Sequence, residues 1–196
     1  MSRLTRRVFL AAFAAAFALS TGAALADKKF VDSDDAKKHA DTDPQKFLPD
    51  YDKLVKGKEA DWVYFPDKFD AKAYKTVVIK DYGSTGGTPS RVKFASEAAP
   101  GYWESWLKRK DPRWEVVKSG GDLSIEGNFA NVWEPSGGAR FWGGWYANPG
   151  AVQELIGKDK SGKVVFEIRH KSRGSTVEDA VENGIGKILE TLSKGQ

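Results

Sequence analysis

The sequence predicts an α+β domain, a mostly antiparallel sheet of about five strands with a mid-chain helix and a C-terminal amphipathic helix packed on one face. Three observations carry this. Val177, Ala180, Val181, Gly184, Ile185, Ile188, Leu189 and Leu192 follow i, i+3, i+4, i+7 spacing without a miss. Leu123, Ile125 and Phe129 alternate with Asp122, Ser124, Glu126 and Asn128, the period-two mark of a half-buried strand. The element order is strand, helix, several strands, helix, which segregates helices to one side of a sheet.

The chain opens with an export signal. Thr5-Arg6-Arg7-Val8-Phe9-Leu10 precedes an alanine-rich apolar run to Leu19, and Ala24-Leu25-Ala26 forms a small-residue cleavage site before Asp27. The pair Arg6-Arg7 followed by Phe9 and Leu10 resembles the twin-arginine signal. The apolar run is too short and too rich in alanine to stay as a membrane span, which needs about 20 strongly apolar residues. Residues 1–26 are therefore expected to be removed after Ala26, leaving a periplasmic protein with no stable membrane span. Residues 27–45, polar and rich in Asp, Lys and Ala, read as a flexible arm. Residues 46–196 read as one domain.

Phe47 to Leu54 is the first segment able to dock on a core, as a short turn or helix. Trp62 to Phe65 is a β-prone run stopped by Pro66, and Tyr74 to Lys80 is a strand rich in β-branched residues. Gly83 to Gly87 reads as a flexible loop. Thr88-Pro89 is an N-cap followed by proline at the first helical position. The helix continues to about Lys110, with Val92, Ala95, Ala99, Trp103, Trp106 and Leu107 near one stripe, and Pro100-Gly101 is expected to kink or split it. Trp114 to Val117, Asp122 to Trp133 and Ala139 to Ala147 are strands. Val152 to Ile156 and Lys163 to Lys171 flank a hairpin turn in which Gly162 supplies positive φ. In the last strand Val164, Phe166 and Ile168 should face inward, and Glu167, Arg169 and Lys171 should face water. Ser175 with Glu178 forms a capping box for the final helix, and Gly195 ends it.

Composition narrows the chemistry. Without residues 1–26, which hold Arg3, Arg6 and Arg7 and no acid, the formal charge of +4 falls to +1. A near-neutral domain has no electrostatic footprint for nucleic acid. Cysteine is absent, which excludes disulfides, thiolate metal sites, a Cys nucleophile and lipidation at the cleavage site. Gly83 to Thr88 lies where phosphate-binding loops sit, but lacks both the Walker ending and the GxGxxG spacing. His39 lies in an acidic stretch that reads as a solvated charge run rather than a metal site. His170 reads as a strand-end histidine satisfied by a backbone partner. No Gly-x-Ser-x-Gly elbow and no paired carboxylates stand out, so no catalytic residue, metal or cofactor is assigned.

The aromatic strand gives the one candidate binding surface. Trp142 and Tyr146, with Arg140 beside them, share one strand face, and Phe141 and Trp145 share the other. One face is core. The other is either covered by a helix or the N-terminal arm, or exposed as a platform for a glycan or small molecule.

Phe47-Leu48-Pro49-Asp50-Tyr51-Asp52-Lys53-Leu54, then Trp62-Val63-Tyr64 and Tyr74-Lys75-Thr76-Val77-Val78-Ile79, resemble the opening of an uncharacterised, domain-of-unknown-function family of bacterial envelope lipoproteins. Gly127-Asn128-Phe129, Ala139 to Gly144, the hairpin around Gly162 and the last helix resemble a related group. Both are similar in layout to the domain of outer-membrane lipoproteins that activate penicillin-binding proteins. The resemblance implies an envelope-assembly module with no catalytic residue to carry over. The twin-arginine leader and the missing lipidation cysteine depart from it. Export, an ample core, a flexible polar arm and the lack of a catalytic constellation point to a non-catalytic module that binds an envelope protein or cell-wall component, with a glycan- or small-molecule-binding protein as the alternative and a hydrolase third.

Overall fold

The period-two burial that begins at Leu123 runs along the spine of the sheet. The computed structural model describes Phe30, residues 43–135 and residues 148–195. Its elements are β1 (Val55–Lys56), β2 (Trp62–Tyr64), β3 (Thr76–Ile79), β4 (Gly83–Ser84), α1 (Pro89–Arg109), β5 (Glu115–Val116), β6 (Leu123–Trp133), β7 (Gly150–Asp159), β8 (Val164–Arg173) and α2 (Val177–Lys194). Short 3-10 turns occupy Tyr51–Lys53 and Ala71–Ala73.

The fold is α+β as expected, but among the described residues the sheet has eight strands rather than about five. They lie in the order β1-β2-β8-β7-β6-β3-β5, with β4 also on β6. Strands β1, β4 and β5 are two residues each, too short for any periodicity to announce them. Part of the expected Gly83–Gly87 loop is thus strand. The central pairs β6–β7 and β7–β8 are antiparallel, whereas β3–β6, β3–β5 and β4–β6 are parallel. The reason is α1: a helical crossover returns the chain in its original direction, so strands before and after it pair parallel.

Helix α1 runs unbroken through Pro100 rather than splitting there. Proline removes the bond to the Ser96 carbonyl and crowds that carbonyl with its ring. Ala95 and Ala99 before it and Trp103 and Leu107 after it are all buried, anchoring both halves to one core. Helix α2 buries each of its eight periodic residues, with Ile185 and Ile188 at 0% exposure. Its N-cap is Thr176, whose hydroxyl accepts from the Asp179 amide at 3.1 Å, one residue later than the expected Ser175–Glu178 box. Both helices share one core with Leu123, Ile125, Phe129, Leu155, Phe166 and Ile168. Gly127 lets Tyr82 lie flat across β6; a Cβ there would sit 2.4 Å from the Tyr82 ring.

Two irregularities decide which side chains face which layer. The register shifts between Phe129 and Asn131, so Val132 joins Phe129 in the helix-side core while Asn131 points the other way. A second shift at Gly157/Lys158 puts Val164 on the opposite face, and Val165 packs on the main core instead. The expected inward placement of Val164 is corrected accordingly.

The opposite sheet face is not solvent either. Phe30, Leu48, Leu54 and Ile156 form a second buried cluster, with Phe47, Tyr51, Trp62, Tyr64 and Val164 packed on it. Glu167 and Arg169 are therefore buried, at 3% and 1% exposure, and the expectation that they face water fails. Of the expected arm, Phe30 is buried and Asp43 accepts a hydrogen bond from Asn131 Nδ2 at 2.7 Å.

Candidate functional site

A buried polar network lies between the sheet and the N-terminal layer. Glu154 on β7 and Arg169 on β8 are register partners and form an ion pair at 0% and 1% side-chain exposure. The Tyr51 hydroxyl donates to Glu154 Oε1 at 2.8 Å and accepts from the amides of Phe47 and Leu48. Asn128 Nδ2 donates to Glu154 Oε2 at 3.0 Å, and the Arg169 guanidinium lies 4.9 Å from the Phe30 ring centroid. Burial pushes the Glu154 carboxyl above the usual carboxylate range, against the charge of Arg169 and three hydrogen bonds. Burial and the Glu154 charge push the Tyr51 phenol up to about 12. With Asn128, Glu154 and Arg169 all buried, this cluster ties residues 47–51 to the sheet.

His170 has both the backbone partner expected of it, the Asp61 amide at 3.4 Å from Nδ1, and a closer carboxylate. Its Nδ1 lies 2.8 Å from Asp61 Oδ2, which also accepts from the Lys171 amide at 2.9 Å. Both side chains are under 10% exposed, and no hydroxyl is hydrogen-bonded to the imidazole among the described residues. The pair fastens the approach to β2 onto β8. The Gly83–Thr88 segment does not cradle an anion: the Thr85 and Thr88 amides donate to the carbonyls of Phe129 and Val132, and the Ser84 hydroxyl donates to the Gly86 carbonyl. Among the described residues no group of three or more His, Asp or Glu side chains could hold a metal.

An open concave surface lies elsewhere, where the C-terminal end of α1 meets α2. A cleft of about 640 Å³ is lined by Trp106, Arg109, Lys110, Arg113, Lys187 and Glu190, among others. Trp106 forms its half-buried wall, with the Arg109 guanidinium 5.1 Å and the Lys110 ammonium 5.2 Å from the ring centroid. Gly186 of α2 makes that packing possible, since a Cβ there would stand 2.9 Å from the indole. A second cleft of about 320 Å³ adjoins the first through Asp111, Arg113 and Ser193, and adds Lys72 and Lys75. Arg109 is engaged by Glu182 at 3.2 Å, and Lys187 by Glu59 and Glu190 at 3.0 Å. An aromatic wall with a cationic rim can hold an apolar ring face and a carboxylate or phosphate together.

The residues expected as binding contacts, Arg140, Trp142 and Tyr146, lie outside the described residues. So do Arg6, Arg7, Phe9, Leu10, Ala24, Ala26 and His39. Sequence reasoning passed over the cleft, although Lys108-Arg109-Lys110-Asp111-Pro112-Arg113 was its signal: four cations in six residues. Lys72 and Lys75, far off in the chain, join that run only through the fold. Among the described residues no helix is long and apolar enough to cross a membrane.

No family model matches the chain, and no curated protein matches it. The fold is similar to that of PelC from Paraburkholderia phytofirmans, solved as a dodecamer, with a TM-score of 0.48 and 16% identity over 66% of this chain and 97% of that one. A variant of the same dodecamer gives a TM-score of 0.47 and 15% identity over 67% and 94%. A hypothetical protein from Chlamydia trachomatis gives 0.33 and 9% over 61% and 92%. All three similarities are distant, with TM-scores below 0.5.

Proposed function

We propose that the protein is a non-catalytic binding module, exported to the periplasm by the twin-arginine route, that engages an envelope protein or cell-wall component through the cleft between α1 and α2. The observation that carries this reading is the open aromatic and cationic wall of Trp106, Lys110 and Arg113. Four of the titratable groups buried in the fold, by contrast, are committed to structure: Arg169 to Glu154, and His170 to Asp61. The sequence supports the address through Arg6-Arg7 and the Ala24–Ala26 cleavage site. Affinity capture from an envelope extract tests the reading. Wild-type protein should retain a component that the Lys110→Glu, Arg113→Glu double variant loses, with an unchanged melting temperature. Equal retention by both would place the binding face elsewhere.

A second reading keeps the aromatic strand as a glycan or small-molecule platform, with Arg140, Trp142 and Tyr146 as contacts. It gains support from the strand ends on either side of that segment. There the Trp133 ring lies 5.6 Å from the Lys171 ammonium and 5.4 Å from the Arg173 guanidinium. A stable Trp142→Ala protein that has lost affinity for cell-wall fragments would favour it.

A further inference from the structure

We infer that the two adjoining clefts form one groove for an extended, carboxylate-bearing polysaccharide, a polymer of uronic acid type. This rests on the reading of the α1–α2 cleft as the binding face and specifies what it takes. The first ground is charge. Lys110 in one cleft and Lys72 and Lys75 in the other make no ion pair among the described residues, and all three are exposed. Arg113, shared by both clefts, has among the described residues only Asp111 at 3.6 Å, and that pair is 76% and 80% exposed. An exposed pair of this kind contributes little and yields readily to a competing carboxylate. Four weakly committed cations strung along a concave path draw a ligand whose negative charges are likewise spaced along a chain. The domain's small net charge makes this a local feature rather than a general basic surface.

The second ground is Trp106. Its half-buried indole stands beside the Lys110 ammonium, 5.2 Å from the ring centroid. An acidic sugar matches both, with its C–H face on the ring and its carboxylate on the cation. An acidic peptide would match the charges but not the ring. The third ground is extent. Asp111, Arg113 and Ser193 line both clefts, so an occupant can pass from one to the other without leaving the wall.

The test titrates the whole protein with galacturonate oligomers of two lengths, a neutral glucan of similar length and polyglutamate, read by calorimetry. The long galacturonate should bind roughly tenfold or more tightly than the short one, because only it spans both clefts. The neutral glucan should not bind, and polyglutamate should bind more weakly. Lys72→Glu with Lys75→Glu should weaken the long oligomer selectively; Lys110→Glu with Arg113→Glu should weaken both. Trp106→Phe, which keeps a ring, should retain galacturonate binding that Trp106→Ala loses. Equal affinity for polyglutamate would overturn the proposal in favour of an acidic protein partner. Absence of any length dependence would overturn the continuous groove. If no galacturonate binds, the polysaccharide is wrong. Capture from the envelope extract by wild type but not by Lys110→Glu, Arg113→Glu protein would then show that the cleft reading still stands, and loss of that difference would show that both fail.

Discussion

Arg169 and Glu154, one on each of two neighbouring strands, form an ion pair at 1% and 0% side-chain exposure beneath the N-terminal layer. The pair has the charge of a surface feature and the position of a core one. Removing two ions from water is costly, and their mutual attraction offsets that cost only when each is also hydrogen-bonded. Here Tyr51 and Asn128 complete the carboxylate, so the pair fixes the docking of residues 47–51 more than it adds stability.

Breaking the pair from one side should therefore be severe. Arg169→Met leaves a buried carboxylate without its cation and should cost about 3–5 kcal/mol in urea unfolding. Adding Glu154→Leu should recover a substantial part of that loss. Additive losses in the double variant would mean that the two residues do not act as a pair.

The sheet-facing stripe of α2 should dominate local stability. Ile185→Ala or Ile188→Ala should each cost roughly 2–5 kcal/mol, since both are fully buried. Glu182→Ala removes only an exposed pair with Arg109 and should cost no more than about 0.5 kcal/mol. Denaturant midpoints that shift equally for all three would contradict the docking of this helix.

Glu167 should make stability depend on pH in an unusual direction. Burial raises its carboxyl above the ordinary value, and Oε2 has no hydrogen-bond partner among the described residues. The folded protein then holds this proton more tightly than the unfolded chain. Its contribution to stability is present below the unfolded value of 4.5 and is lost as pH rises through the folded value. Glu167→Gln, which stays neutral, should gain thermal stability over wild type as pH rises from 4 to 7. A difference that shrinks over that range would contradict the assignment.

Export is tested by Arg6→Lys with Arg7→Lys. Cell fractionation should find the double variant retained in the cytoplasm, and the wild-type protein should begin at Asp27. Wild-type levels of periplasmic variant would indicate the general secretory route.

Much of the fold was legible because its signals are local. The eight-residue stripe of α2, the alternation of β6 and the Gly162 turn each depend on a few neighbouring residues. Errors arose where a distant segment decides the environment. Arg169 reads as solvent-facing by charge, and only the return of Phe30 and Tyr51 over β8 buries it. Val164 obeys the alternation until a bulge shifts it to the other face. The parallel pairing of β3 with β6 depends on where α1 delivers the chain, which propensity does not encode. The candidate site was less legible still: Lys108–Arg113 was visible as a charge run, but Lys72, Lys75 and Gly186 reach it only in three dimensions.

The tryptophan indole resonances give the most direct measure of where this protein binds. Seven tryptophans report from separate places: Trp103 and Trp114 from the core, Trp106 from the cleft, Trp62 and Trp133 from the opposite layer and the strand ends, and Trp142 and Trp145 from the aromatic segment. On titration with acidic fragments of a cell-wall digest, the Trp106 indole N–H signal should shift progressively, while that of Trp103 stays in place. Shifts confined to Trp133, Trp142 and Trp145, with Trp106 unmoved, would contradict binding at the α1–α2 cleft and assign it to the aromatic strand.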